Sequence, residues 1–286
     1  MSSTGPMLVE ARCLDQEIFE DSLAKKRWRI HSKFAHSFNI QDETRQHLAV
    51  IASDQKTYVP NGIYLDPADF ERLAAEIQID DCLQMQGLSV HFPESQLLLT
   101  TSTYQSFQKE LTTGVTDAAW ESYLQNIKKI KKETGYQEPL AEVLTQKNEF
   151  VCAIDQLCSE KLPLQRRGLH FLIGRGPGLT PSGDDMITGH LAARLLIGKR
   201  NEKLEGYLQN KLIAVDDLTT DVSKHYLLCS IQQRFNQSIL QLIAALGSDA
   251  SRIHEKSQKV LATGHTSGAD FLAGFTRTID YFKEEK

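Results

Sequence analysis

Hydrophobic positions along the chain follow one period up to about residue 105 and another beyond about residue 115. In the first stretch Trp28, Ile30, Phe34, Phe38 and Ile40 all fall on even positions, as on one face of a strand. Turn-delimited β-like runs follow at 47–52, at 58–65 around Pro60-Asn61-Gly62, at 88–92 and at 96–101. Two helices are predicted among them. A surface helix over 7–26 rests on the spacing of Leu8, Ala11, Leu14, Ile18 and Leu23; another over 67–79 opens on the cap pair Asp66-Pro67 and carries Phe70, Leu73, Ala74 and Ile77 on one face.

Beyond residue 115 the β signal disappears. Amphipathic runs predict helices over 116–133, 138–144, 148–161, 164–173, 184–197, 202–213, 217–229, 232–246, 251–262 and 269–282. The expected fold class is therefore α+β, with a β-rich domain over 1–110 followed by a mainly α-helical domain over 111–286.

Composition leaves this picture in place. A chain of 286 residues that is 41% hydrophobic and 24% charged, with 17 Gly and 8 Pro, is an ordinary globular protein. Its net charge of -5 argues against a dedicated nucleic-acid binder, which needs a basic face. Five scattered cysteines with no CxxC pair support neither a disulfide framework nor a zinc ribbon and suggest a reducing cytosol. No segment approaches the roughly 20 apolar residues of a membrane span, so a cytoplasmic protein with no membrane partner is expected. Lys128 to Lys132 reads as a solvated helix face.

The chemistry concentrates in Gly174-Arg175-Gly176-Pro177-Gly178-Leu179-Thr180-Pro181-Ser182-Gly183-Asp184-Asp185, which runs into an apolar helix. A reduced copy recurs as Gly264-His265-Thr266-Ser267-Gly268-Ala269-Asp270. Both copies share Ser-Gly-x-Asp, two apolar residues, x and Gly, ending at Gly189 and Gly274. Ser182 with Asp185, and Ser267 with Asp270, fit the capping box, and capping alone could explain the second copy. In the first copy four glycines within ten residues carry a conformational cost that points to a closely approaching ligand or backbone.

The spacing of Gly178 and Gly183 imitates a P-loop, but Asp184 and Asp185 stand where its Lys and Ser/Thr would be. Two carboxylates disfavour a polyphosphate; a small anion held by helix-start amides is compatible, with Mg²⁺ or Arg175 compensating Asp184. Gly189 and Gly274 each lie one turn beyond the Asp of their motif, so the two helices could cross closely there and bring their starts together about a local pseudo-twofold. Thr219, Thr220, Ser223 and His225 form a hydroxyl-rich helix start with capping as its ordinary explanation. His190 and His265 lie in the motif regions without metal-ligand spacing.

With these residues in view, the chain resembles the AllH family, that of an oxamate carbamoyltransferase subunit. Further similar points are His31-Ser32-x-Phe34 with Asn39, Pro60-Asn61-Gly62-Ile63, and Thr219-Thr220-x-x-Ser223. Arg175 departs from the small or apolar residue expected there. The resemblance implies a barrel-like β-rich N-terminal part and a helical C-terminal part. It also implies a role in anaerobic purine or allantoin nitrogen use, where oxalurate and phosphate give oxamate and carbamoyl phosphate, alongside two other subunits, one resembling acyl-CoA synthetase-type proteins.

The resulting expectation is a transferase subunit that binds a small anionic substrate at paired helix starts. Asp184, Ser182 and His265 are assigned to catalysis. Gly176, Gly178, Thr180, Gly183, Thr266, Ser267, Thr219 and Ser223 are assigned to anion binding, and Asp185, Asp270, Gly189 and Gly274 to capping and packing. Asp184 is the candidate Mg²⁺ ligand. The alternative is a noncatalytic structural or regulatory subunit whose glycine-rich helix starts pack against a partner chain.

Overall fold

The structure is a computed structural model that describes residues 7–18, 27–54, 57–101, 103–107, 114–146 and 148–284. The chain is α+β and divides into two compact units, 1–107 and 108–286. Among the described residues no helix is long and apolar enough to cross a membrane.

The first unit is a ten-stranded sheet curled into a half-barrel. Its strands are β1 (Met7–Glu10), β2 (Cys13–Asp15), β3 (Arg27–Lys33), β4 (Ser37–Asp42), β5 (Leu48–Ser53), β6 (Gly62–Leu65), β7 (Cys82–Gln86), β8 (Ser89–His91), β9 (Ser95–Leu98) and β10 (Tyr104–Gln105). They lie in the order β1-β9-β8-β7-β3-β4-β5-β6-β2-β10. Helix α1 (Pro67–Glu76) starts where expected, with the Asp66 carboxylate accepting the Ala68 N–H and Pro67 opening the first turn. It buries Phe70 and Leu73, and the Phe70 ring stacks on Phe38 of β4.

Three expectations fail in this unit. The predicted helix over 7–26 is replaced by β1 and β2 over its first part; Leu23 lies outside the described residues. Parallel pairing of β1 with β9 and antiparallel pairing of β2 with β6 override a weak helical spacing, as tertiary pairing commonly does for short segments. Phe34 does not share the inward face of Trp28 and Ile30. The β3–β4 register shifts between Ile30 and Ser32, and beyond this irregularity Phe34 emerges 43% exposed. Strand β7 was not anticipated, although Leu83 and Met85 alternate inward within it.

Among its described residues the second unit holds ten α-helices: α2 (Asp117–Ile127), α3 (Leu140–Thr145), α4 (Glu149–Cys158), α5 (Leu162–Leu172), α6 (Ser182–Leu196), α7 (Glu202–Ala214), α8 (Asp221–Ile231), α9 (Gln237–Ser248), α10 (Ile253–Leu261) and α11 (Ser267–Glu284). Helix α6 is buried almost all round, the mark of a central helix, and its main neighbour is α11.

The crossing of α6 and α11 depends on two glycines. A Cβ on Gly189 would lie 2.2 Å from the Phe271 carbonyl oxygen, and one on Gly274 would lie 2.1 Å from that of Met186. Phe271 and Met186 each follow the Asp of their own motif, so the contact is reciprocal. An equivalent contact recurs at each helix start, where a Cβ on Gly183 would meet the Leu172 carbonyl of the preceding α5 and one on Gly268 the Val260 carbonyl of the preceding α10. The two motifs thus share a structural reason for all four glycines: backbone packs on backbone.

Gly189→Ala or Gly274→Ala should lower the melting temperature of the helical unit by roughly 5–10 °C, because overpacking against immovable backbone costs about 1–3 kcal/mol or more. Gly206→Ala in α7, where a Cβ meets nothing within 4 Å, should instead stabilise by up to ~1 kcal/mol. Calorimetric melts of the three variants separate close approach from ordinary glycine cost.

Candidate functional site

Both motif helices begin one residue earlier than a serine cap requires. Pro181 is the N-cap of α6 and makes no side-chain cap bond; its carbonyl receives the Asp184 and Asp185 amides. In α11 the Thr266 carbonyl receives the Ala269 and Asp270 amides. Ser182 and Ser267 therefore stand at the first helical position, and the capping boxes of the sequence reading do not form. The carboxyls they were meant to pair with are turned across to the other motif.

This cross-over builds the site. The Asp270 carboxyl accepts from Ser182 of the first motif and from its own Thr266. The Asp185 carboxyl accepts from Ser267 of the second motif and from its own Thr180, and the Thr180 and Ser267 hydroxyls lie 2.8 Å apart. The Gly135 amide, between α2 and α3, donates to both oxygens of Asp270 at 3.0 and 3.2 Å. A side chain at 135 would collide with the Ser182 hydroxyl. The two helix starts are side by side, as the glycine spacing suggested.

Burial pushes the Asp185 carboxyl well above the ordinary carboxylate range, and the nearby charge of Asp270 pushes it further. Burial raises Asp270 as well, against the pull of its hydrogen bonds. Asp185 Oδ2 is shielded from solvent and has no hydrogen-bond partner among the described residues. The Tyr136 hydroxyl is in the same condition, its pKa raised by burial and then by the charges of Asp270, Asp184 and Asp185 around it. Tyr136 is fixed by stacking on Phe150, which in turn meets Phe171.

Asp184, assigned to catalysis and to Mg²⁺, points elsewhere. It is 1% exposed; Oδ1 accepts the Gly174 amide at 2.8 Å, and Oδ2 accepts the Ser223 hydroxyl at 2.7 Å and that of Thr219. These bonds offset the burial that raises its pKa. The side chain ties the base of the glycine-rich loop to the start of α8, where Thr220 caps the helix and donates to the Leu179 carbonyl. Both oxygens already hold protein donors, and among the described residues no three His, Cys, Asp or Glu side chains are grouped to hold a metal ion. The residues do not fit a Mg²⁺ site.

The other assigned residues sort by exposure. Gly176 has φ +119°, and a Cβ there would lie 2.7 Å from the Ser182 amide, so its role in the loop is steric. Gly178, also at positive φ, has open space around it on the exposed tip of the loop. Arg175 does not compensate Asp184; its Nε donates to the Phe171 carbonyl and its guanidinium lies over the Phe171 ring. His265 is exposed.

His190 is wholly buried, with Nδ1 3.0 Å from the Thr278 hydroxyl. Thr278 already donates to the Gly274 carbonyl, so His190 donates from Nδ1, and burial holds the ring neutral. It is a packing residue. The sequence reading missed Gly135 and Tyr136, which sit in an unremarkable polar connection between two predicted helices.

A half-barrel sheet joined in one chain to a helical unit, with two crossed motif helices presenting a carboxyl pair, defines the class to which the molecule belongs: two-unit α+β proteins with a paired helix-start site. Residues 9–106 match the AllH family N-terminal domain and residues 172–279 match the family described as oxamate carbamoyltransferase subunit AllH. The chain belongs to the AllH family. No solved structure matches it.

Two outcomes test the division of labour among the carboxyls. Asp184→Ala should cost roughly 3 kcal/mol, because it strands a buried amide and two hydroxyls, and should lower the melting temperature by roughly 6–12 °C. Asp185 tests the effect of burial on a carboxyl with fewer compensating bonds. Its folded pKa lies above its unfolded value, so its contribution to stability is intact below about pH 4 and is lost as pH rises through the folded pKa. The melting temperature of Asp185→Asn relative to the native protein should therefore climb steadily as pH is raised above about 4.

Proposed function

We propose that the chain is a subunit of an oxamate carbamoyltransferase and that the paired starts of α6 and α11 hold the carbamoyl group. Family membership supports the first half of this reading. The second half is supported by two buried polar atoms without partners among the described residues, Asp185 Oδ2 and the Tyr136 hydroxyl, with Asp185 among the charges that act on Tyr136; native proteins rarely leave such atoms unused.

The electrostatics select the chemistry. Two ionised carboxylates would repel an anion, but Asp185 is driven toward its neutral form by burial and by Asp270. A protonated Asp185 and the Tyr136 phenol are donors suited to a carbamoyl oxygen, and Tyr136 can accept from the amide NH₂. As a nucleophile adds to the carbamoyl carbon, negative charge gathers on that oxygen, and donors already in place stabilise it without reorganisation. The anionic end of the substrate, a phosphate or an oxamate-type carboxylate, then faces the exposed loop around Gly178. His265 and Thr266 border the second motif on the same side. Asp184, Thr219 and Ser223 position the loop.

The noncatalytic alternative has the glycine-rich helix starts packing against a partner chain; Gly183, Gly189, Gly268 and Gly274 press instead against backbone of this chain, while Gly178 stands in open space.

In the assembled enzyme, Tyr136→Phe and Asp185→Leu should each lower kcat by about 100-fold, the usual loss for one oxyanion donor, with assembly unchanged. Asp185→Asn, which keeps a donor, should lose less. Native turnover in Tyr136→Phe and Asp185→Leu would refute the assignment.

A further inference from the structure

The run Lys128 to Lys132 is more than a solvated face. Where α2 ends and the chain turns, it forms one wall of a cleft of about 460 Å³ whose other wall is α10. Lys129, Lys131 and Lys132 line this cleft together with His254, Asn126 and Gln258, and no lining residue is acidic. Its floor is apolar, with Ile130 8% and Leu261 5% exposed. The volume lies in the range of small-molecule sites, about 300–1,000 Å³.

The ordinary explanation for lysines here is that they neutralise helix C-termini. Two such ends meet at the cleft, α2 through Asn126 and α10 through Leu261, and Lys132 does donate to the Leu261 carbonyl. Each end is worth about half a negative charge, so the pair accounts for about one lysine of the three and leaves a surplus of about two positive charges. Lys132 is committed to the carbonyl. Lys129 and Lys131 form no ion pair among the described residues, while neighbouring Lys256 and Lys259 on α10 are both engaged by Glu255. In a chain of net charge -5, this cluster over an apolar floor is a local concentration of positive charge suited to an anion.

We propose that the cleft between the end of α2 and the face of α10 binds a small phosphate-bearing ligand of about two negative charges. Lys129 and Lys131 supply the charge; Gln258 and His254 supply hydrogen bonds; Ile130 and Leu261 pack against any apolar part of the ligand. The site shares no residue with the carboxyl pair at the starts of α6 and α11, so it would serve a separate ligand, such as an effector.

Titration calorimetry on the full chain at low ionic strength, with inorganic pyrophosphate and with adenosine monophosphate as probes, tests this. One probe at least should bind saturably with one site per chain, more weakly as salt is raised, since exposed charges are screened. Lys129→Gln/Lys131→Gln should weaken that binding at least about tenfold without shifting the melting temperature, as both side chains are exposed. Asp185→Leu should leave it unchanged, which separates this site from the proposed carbamoyl site. Absence of saturable binding by both probes, or binding by the double variant within about twofold of native, would overturn the proposal.

Discussion

The helical unit is organised around the backbone crossing of α6 and α11. Met186 and Phe271 present carbonyls to Gly274 and Gly189, and no side chain fits between them. Because each glycine lies one helical turn beyond the Asp of its motif, this single contact decides where the two helix starts go. It places Asp185 against Ser267 and Asp270 against Ser182, and so forces two carboxyls into shared, poorly solvated space. The unusual charge state of the site is a consequence of the packing, not of an added device.

That relation orders the remaining features. Gly183 and Gly268 admit the Leu172 and Val260 carbonyls, which fixes how α5 and α10 feed their loops into the two starts. Asp184 and its hydroxyl partners hold the longer loop to α8, while Gly135 closes over Asp270 and brings Tyr136 with it. The Asp185 carboxyl, raised by burial and by Asp270, and the Tyr136 hydroxyl each keep a buried polar atom without a hydrogen-bond partner among the described residues. The likeness of the loop to a nucleotide-binding loop stops at its glycine spacing, because Asp184 and Asp185 stand where its Lys and Ser/Thr would be.

Much of this was legible in the sequence. The change of period near residue 110 marks the passage from sheet to helices, and the spacing of Gly189 and Gly274 foretold the crossing. What failed has local causes. Both helices start one residue earlier than the capping boxes require, and since a helix turns about 100° per residue, Asp184 turns to the start of α8 and Asp185 to the second motif. The helix expected at 7–26 rested on spacing that two short strands also satisfy once Val9 and Cys13 are the buried members. Phe34 was misplaced by an irregularity in β3 that hydrophobic patterning cannot register. Tyr136 carried no signal, because the charged groups around it, Asp270, Arg175, Asp184 and Asp185, come from distant parts of the chain.

The crossing of α6 and α11 raises the pKa of the Asp185 carboxyl through burial and the nearby charge of Asp270. Carbon-detected NMR titration of aspartate side-chain carboxyls, with the Asp185 resonance assigned by its loss in Asp185→Asn, measures this directly. The expected Asp185 midpoint lies clearly above the ordinary aspartate value of about 3.9 and falls when Asp270→Asn removes its neighbour's charge. An Asp185 midpoint at or below the ordinary value would contradict it.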